Sequence, residues 1–318
     1  MSFYSKLAKY SYKFCHPIIG EIWCLHRVTT ERSIFSSNRD LEITPAYLET
    51  LLLDYKKNGY LFTNLDAIYE KLQQSMFFKR KKMVNISFDD GFVDIYHYAF
   101  PIFCKYNIPF TIYLTSDFPN KKAKLWWIAL DLFIRENDVI VLGDNTTHIC
   151  HTQEQKQLLF EELLTRIYES DKTPLAFFTE LFPDVYTTYE NKLNSLVLSW
   201  SMLSEMVRSG LCTMGSHTVS HPILTKLNYE EIMYEMEYSA RYIADKLHCK
   251  VEHFSYPHSS TDDRIEKMVS QVGYKTAILG YGGNIRIGDN PYMLHRNYII
   301  QPEKNVYEEY NLRRFISF

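Results

Sequence analysis

The sequence predicts an α/β protein built on a parallel sheet, and a distorted β/α barrel with fewer than the usual eight regular strands accommodates its order of elements. Three observations lead there. Short apolar runs alternate with helical patterns, the order that lays parallel strands against crossover helices. Several runs end in glycine, proline or carboxylate signals, the punctuation of strand ends. And 318 residues can bury a core large enough for one barrel, a fold that commonly runs to ~250 residues, with room for an insertion.

Met1 to Gly20 mixes aromatics with Lys6, Lys9 and Lys13; a packed N-terminal helix fits it better than a segment lying on a membrane surface. Glu21 to Leu25 is a first strand, followed by His26-Arg27-Val28, and residues 29–43 read as a loop able to cover a pocket. Thr44 as N-cap and Pro45 in the first turn start a helix that Gly59 ends. A strand begins at Tyr60–Phe62, and Leu65–Leu72 is helical. Lys79 to Lys82 is the dense basic run; it solvates the entrance to the buried strand Met83–Phe88 rather than binding a polyanion. A helix near Ile95–Tyr106, with a kink at Pro101, leads to a strand at Phe110–Leu114.

Residues 120–205 exceed an ordinary βα connection. Leu158 to Ile167 patterns as one helix and Asn191 to Met206 as another, so this stretch reads as a helical insertion beside the barrel mouth. Its aromatics form the insertion's own core, with Trp126 and Trp127 the pair to test as sugar-stacking or lipid-covering residues. Beyond it come a strand at Leu211–Met214, a helix at Tyr229–Leu247, a strand at Val251–Tyr256 and a helix at Ile265–Val272. A strand at Tyr274–Leu279, a glycine-rich loop at Gly280–Gly283 and a last strand at His295–Ile300 complete the order.

Composition excludes some functions. A net charge of −3 and a pI of about 6.4 offer no basic field for nucleic acid. Cys15, Cys24, Cys104, Cys150, Cys212 and Cys249 form no Cys-x-x-Cys pair, which suits a reducing compartment. No apolar leader or ~20-residue spanning run is evident. The expectation is a cytoplasmic protein, with the inner membrane face as a second option through peripheral contact.

Two stretches carry candidate chemistry. Asp89 and Asp90 end the Met83 strand, and Gly91 lets the chain break so that both carboxylates can reach one pocket. The alternative is an ordinary Asp-Asp-Gly turn. His217 and His221 stand four apart after the Leu211 strand, spacing that shares one face on a helical turn. Imidazoles with a carboxylate suit zinc; the alternative is two loop histidines.

Ser87-Phe88-Asp89-Asp90-Gly91 and His217-Thr218-Val219-Ser220-His221 together resemble the first and second motifs of the polysaccharide deacetylase family, the fourth family of carbohydrate esterases. The likeness extends over Asp94, over Ala99 to Leu114 and from about Leu211 to Ile300. It implies a distorted barrel of about seven strands, with residues 1–318 forming one catalytic domain and 120–205 a helical insertion within it. It also implies Asp90, His217 and His221 as ligands of a divalent metal ion, most simply Zn2+, and Asp89 as catalytic base. Tyr256-Pro257-His258-Ser259 departs from the family's third motif: Ser259 stands where Gly is usual, and Ser255 where another form of the motif has Arg. Arg296 is then the candidate to position the base, because relatives carry an Arg on this strand. A backbone N–H near His258 is implied as an oxyanion contact. Met293-Leu294-His295 lies near the family's Leu-x-His motif, which implies His295 as general acid; otherwise it is a buried histidine at the barrel end. His26 faces the site rim or bonds to nearby backbone.

The resulting expectation is metal-dependent hydrolysis of the N-acetyl group of an amino sugar, in a glycan or in a lipid- or nucleotide-linked precursor of lipopolysaccharide or capsule. The alternatives are a degenerate glycan-binding member and a hydrolase of another carbon–nitrogen amide bond.

Overall fold

A computed structural model describes residues 17–74 and 82–302. The expected N-terminal helix and most of the basic run at Lys79–Lys82 lie outside the described residues. Seven strands close into a ring: β1 (Ile18–Leu25), β2 (Met83–Phe88), β3 (Phe110–Leu114), β4 (Cys212–Ser216), β5 (His253–Ser255), β6 (Thr276–Gly282) and β7 (Leu294–Tyr298). Each pairs in parallel with the next, and β7 returns to β1 through Trp23↔Asn297 and Cys24↔Tyr298. This is the distorted parallel barrel that the sequence predicts. The distortion is visible where β4 meets β5 at the single pair Ser216↔Phe254 and where the β6–β7 register shifts between Ile278 and Gly282.

Alternation along the strands decides which residues enter the barrel. On β2, Val84, Ile86 and Phe88 join a large apolar core with Phe103, Phe110 and Leu114. The intervening Asn85 and Ser87 are buried on the other face, where Thr111 Oγ1 donates to Asn85 Oδ1 at 3.2 Å. The same parity carries Ile22 and Cys24 of β1 and Leu294 and Arg296 of β7 inward. Ile22, Tyr113, Ile278 and Leu294 share one cluster that plugs the barrel floor.

The outer helices begin where local chemistry says they should. In α1 (Pro45–Lys57) Thr44 Oγ1 accepts from the Tyr47 amide, and in α2 (Leu65–Leu72) Asn64 accepts from the Ala67 amide. The helix expected at Ile95–Tyr106 opens with a π-turn at Ile95–Ala99 before α3 (Phe100–Tyr106). Between β3 and β4 run α4 (Trp126–Glu136), a hairpin (Val139–Val141 with Thr147–Ile149), α5 (Gln153–Glu169), α6 (Pro174–Leu181), α7 (Val185–Ser195) and α8 (Trp200–Arg208). Most of their apolar side chains pack on one another in a separate core that includes Trp126, Phe160 and Phe178.

Several expected elements are corrected. Asn191–Met206 is not one helix: the chain breaks between α7 and α8, where Ser199 Oγ caps α8 through the Met202 amide. The freed backbone is not wasted. Leu198 N donates to Gly91 O at 2.9 Å and Val93 N to Leu196 O at 2.7 Å, so the break is stitched to the Asp-Asp-Gly turn. The loop at 29–43 contains a helical turn at Ser36–Arg39 and a short parallel pairing of Arg27–Val28 with Glu42–Ile43. Gly280–Gly282 continues strand β6. The helix expected at Tyr229–Leu247 comprises α9 (Tyr229–Met233), a π-turn (Tyr234–Tyr238) and α10 (Ser239–Leu247). Among the described residues no helix is long and apolar enough to cross a membrane.

Candidate metal centre and catalytic cavity

The C-terminal ends of the barrel strands open into a cavity of about 890 Å³. Parity delivers Asp89 to it from β2, and the turn that follows delivers Asp90. That turn is tight: Asp90 has φ +70° and Gly91 φ +97°, and a Cβ at Gly91 would lie 2.5 Å from Leu114 Cδ1. Only glycine fits both demands there.

His217 and His221 arrive on a turn after β4. It is not helical, as the four-residue spacing suggested, for Thr218 and His221 have φ +69° and +64°. His217 Nδ1 lies 2.8 Å from Ser255 O, a carbonyl that can only accept. The proton is therefore on Nδ1, and Nε2 turns its lone pair towards Asp90. Asp90 Oδ1 stands 3.6 Å from His217 Nε2 and 3.3 Å from His221 Nε2. One donor atom from each of the three residues falls within 4.8 Å of the other two.

This trio fits a cation. Asp90 Oδ1 is buried with no hydrogen-bond partner, a costly arrangement unless an ion is shared. Burial and the neighbouring Asp89 push the Asp90 carboxyl well up, and burial pushes both imidazoles down. A divalent ion would reverse the first penalty and exploit the second, since metal ligands must be deprotonated.

Asp89 is held differently. Arg296 Nη1 and Nη2 donate to its two oxygens at 2.8 and 2.6 Å, a bidentate pair in which both residues are buried. Ser255 Oγ adds a donor at 3.2 Å, and Arg296 is itself fixed by Leu279 O at 2.7 Å and Ser87 Oγ at 3.1 Å. Burial alone would push the Asp89 carboxyl up, but Arg296 and His217 outweigh it and hold Asp89 well below the ordinary carboxylate range. Asp89 thus stays ionised beside the trio without belonging to it, 4.0 Å from His217 Nε2. Ser255, standing where one motif form has arginine, contributes its hydroxyl instead, and the guanidinium comes from β7. Ser259 lies at φ +53°, the left-handed region that favours glycine, which accounts for the glycine usual in the family at this place.

His295 does not reach the cavity. The alternation that turns Arg296 inward turns His295 outward, where its Nδ1 faces Tyr281 O at 3.3 Å across the bare backbone of Gly282. The general-acid expectation for His295 is corrected on that ground. Two other imidazoles do line the cavity, His26 and His258. Burial pushes each down to about 4, yet only His26 is opposed by the attraction of Asp89. His26 Nδ1 is buried without a partner, and His26, Asp89 and Cys24 offer donor atoms within 4.8 Å of one another. Cys24 is a cavity residue that burial pushes up to about 12, so it stays protonated. Its position two residues before His26, on an alternating strand, was the available signal.

The rim is organised by Arg27, which pairs with Asp94 at 2.7 Å and Glu42 at 2.8 Å and ties the covering loop to the turn after Asp90. Trp127 reaches the cavity and lies 5.3 Å from the His221 ring, whereas Trp126 is in the core of the helical region.

A barrel of this design with paired Asp89 and Asp90 and a histidine turn defines a deacetylase-type metal hydrolase fold. The chain belongs to the polysaccharide deacetylase family, whose sequence model matches residues 79–277. The Streptococcus pyogenes deacetylase PplD, solved in complex with acetate, is similar with a TM-score of 0.62 at 18% identity, over 93% of this chain and 98% of that one. IcaB from Ammonifex degensii is similar with a TM-score of 0.57 at 16% identity, over 93% and 96%. At these identities the likeness is one of fold. Chitin deacetylase 1 of Cryptococcus neoformans var. grubii is 30% identical over 116 residues, 35% of this chain; the chain thus spans 24% of that protein.

Proposed function

We propose that the protein removes the N-acetyl group from an amino sugar in an uncharged glycan. The observation that carries this reading is the meeting, in one cavity, of a trio able to hold a divalent cation with an ionised carboxylate that is not part of it. Asp90, His217 and His221 would hold the ion, with zinc the simplest choice for this donor set. Such an ion, when bound, supplies Lewis-acid polarisation of the acetamide carbonyl and lowers the pKa of water. Asp89, oriented by Arg296, takes a proton from the attacking water. His26, a neutral imidazole beside Asp89, relays that proton to the sugar nitrogen as the carbon–nitrogen bond breaks, leaving acetate and a free amine. Residues 1–318 act as one catalytic domain in this reading, with 120–205 as an insertion that walls the site.

The wall argues for substrate class. Arg296 is the only Lys or Arg lining the cavity among the described residues, and Asp89 occupies it. Glu161 and Glu169 line the mouth with Trp127, Tyr168 and Tyr281. A diphosphate carrier would meet carboxylates there, whereas a neutral sugar offers faces to the rings and hydroxyls to the carboxylates. The test incubates zinc-loaded protein with a chitooligosaccharide, a nucleotide-linked N-acetyl sugar and a lipid-linked saccharide, following acetate by mass spectrometry with Asp89→Asn as blank. Acetate mainly from the uncharged oligosaccharide is expected. Preference for the nucleotide-linked sugar overturns the substrate class, amide opening without acetate points to another carbon–nitrogen bond, and silence with metal bound points to a binding protein.

A further inference from the structure

The turn that carries the two histidines is strained. Thr218 is β-branched and His221 bulky, yet both sit at positive φ, where such residues cost on the order of 1–3 kcal/mol each unless the surroundings over-determine them. The surroundings here are the segment just after β3, where Ser116 N and Asp117 N donate to Thr218 O and Val219 O at 3.1 and 3.0 Å, and one helical segment. Glu235 and Ser239, four apart and both buried, straddle the end of the π-turn Tyr234–Tyr238 and face the histidine turn together. Glu235 Oε2 accepts from two successive amides, Val219 N at 2.7 Å and Ser220 N at 3.0 Å, while Oε1 accepts from Ser220 Oγ at 2.6 Å. Successive amides converging on one oxygen form an anion-binding nest, here filled by the protein's own carboxylate. Ser239 Oγ donates to Thr218 O at 2.9 Å and lies 2.9 Å from Ser216 Oγ. Within the turn, His221 N donates to Thr218 Oγ1 at 3.0 Å.

We propose that Glu235, assisted by Ser239, is a positioning residue that locks the Ser216–His221 turn so that His221 Nε2 faces Asp90. It touches neither the substrate cavity nor the Asp90 carboxylate and acts through the backbone between the two histidines. A π-turn is where helices are commonly modified for function, and this one contributes the residue that the nest requires.

The proposal rests on the assignment of Asp90, His217 and His221 as metal ligands, and its test separates the two. Zn2+ affinity is measured by chelator competition, and the Co2+ absorption spectrum is recorded, for the parent, Glu235→Ala and Glu235→Gln. The alanine variant should bind about 10–100-fold more weakly, the usual effect of removing a support of a metal ligand, with an altered cobalt spectrum. The glutamine variant should recover part of the loss, because its amide oxygen can still accept from the nest while its NH2 donates to Ser220 Oγ. Asp66→Ala, which breaks an ion pair with Lys275 at the opposite end of the barrel, should melt lower without changing metal affinity. Parent-like affinity and spectrum in Glu235→Ala would overturn the proposal; should that variant not fold, the same result in Glu235→Gln would do so. A parent that binds neither ion would instead remove the metal assignment beneath it.

Discussion

The bidentate pair of Arg296 with Asp89 can be tested by replacing the arginine with methionine, which fills the stem and deletes the charge. The change removes both donors to Asp89 and leaves Leu279 O, Ser87 Oγ and Ser255 Oγ without the guanidinium. Breaking one side of a buried pair costs about 3–5 kcal/mol, because the other charge is left uncompensated. At about 1.36 kcal/mol per pKa unit, that is an upward displacement of Asp89 by roughly 2–4 units. The sign follows from linkage. In the parent, Asp89 is depressed, so the stability it contributes is complete above the ordinary carboxylate pKa and is lost as pH falls through its native value. In the variant, the penalty is largest where Asp89 must ionise and shrinks as falling pH lets it protonate. Urea unfolding of chelator-treated protein at about pH 7 and about pH 3 should therefore show the parent–variant gap narrowing on acidification. The acid limb of kcat/KM in the zinc-loaded variant should move up by at least about one unit. A gap independent of pH, with an unmoved acid limb, would refute the reasoning and reduce Arg296 to a packing residue.

Two further outcomes separate roles within the cavity. Asp89→Asn should retain zinc and lose about 10²–10⁴-fold in turnover, the usual worth of a general base, whereas Asp90→Asn should lose zinc first; metal titration of the two variants decides, and the opposite order would exchange their roles. His26→Ala should lower kcat by a similar factor of about 10²–10⁴ while His295→Ala stays near the parent, which steady-state assays compare directly.

Much of this site was legible because its residues come in two contiguous motifs. Asp89, Asp90, His217 and His221 need only their neighbours to be found, and the altered Tyr256–Ser259 motif pointed beyond itself to Arg296. What stayed hidden depends on registers and long-range pairings. His295 and Arg296 are adjacent, and choosing which one enters the barrel requires the pairing of β7 with β1 and β6, which no local pattern states. Cys24 and His26 follow from the same parity once the strand is placed. Arg27 meets Asp94 and Glu42 across 67 and 15 positions, and charge spacing along the chain does not reveal such partners. The break between α7 and α8 was hidden for another reason: its apolar residues continue a helical rhythm, while the cause of the break is the Asp-Asp-Gly turn that its backbone bonds to.

That stitched break also sets what a protein engineer can cut. The excursion between β3 and β4 looks like a detachable lobe, with a separate apolar core and an exposed hairpin tip at Asp144–Thr146. Its tip is a natural place for a tag or a fused domain. Its root is not, because Leu196 O and Leu198 N serve as hydrogen-bond partners for Val93 N and Gly91 O. Excising the lobe with a short linker would strip the backbone beside Asp90 of partners that residues 83–94 cannot themselves replace. Trimming would have to leave the three residues Leu196–Leu198 in place, as a strap that belongs to the lobe by sequence but to the Asp-Asp-Gly turn by its hydrogen bonds.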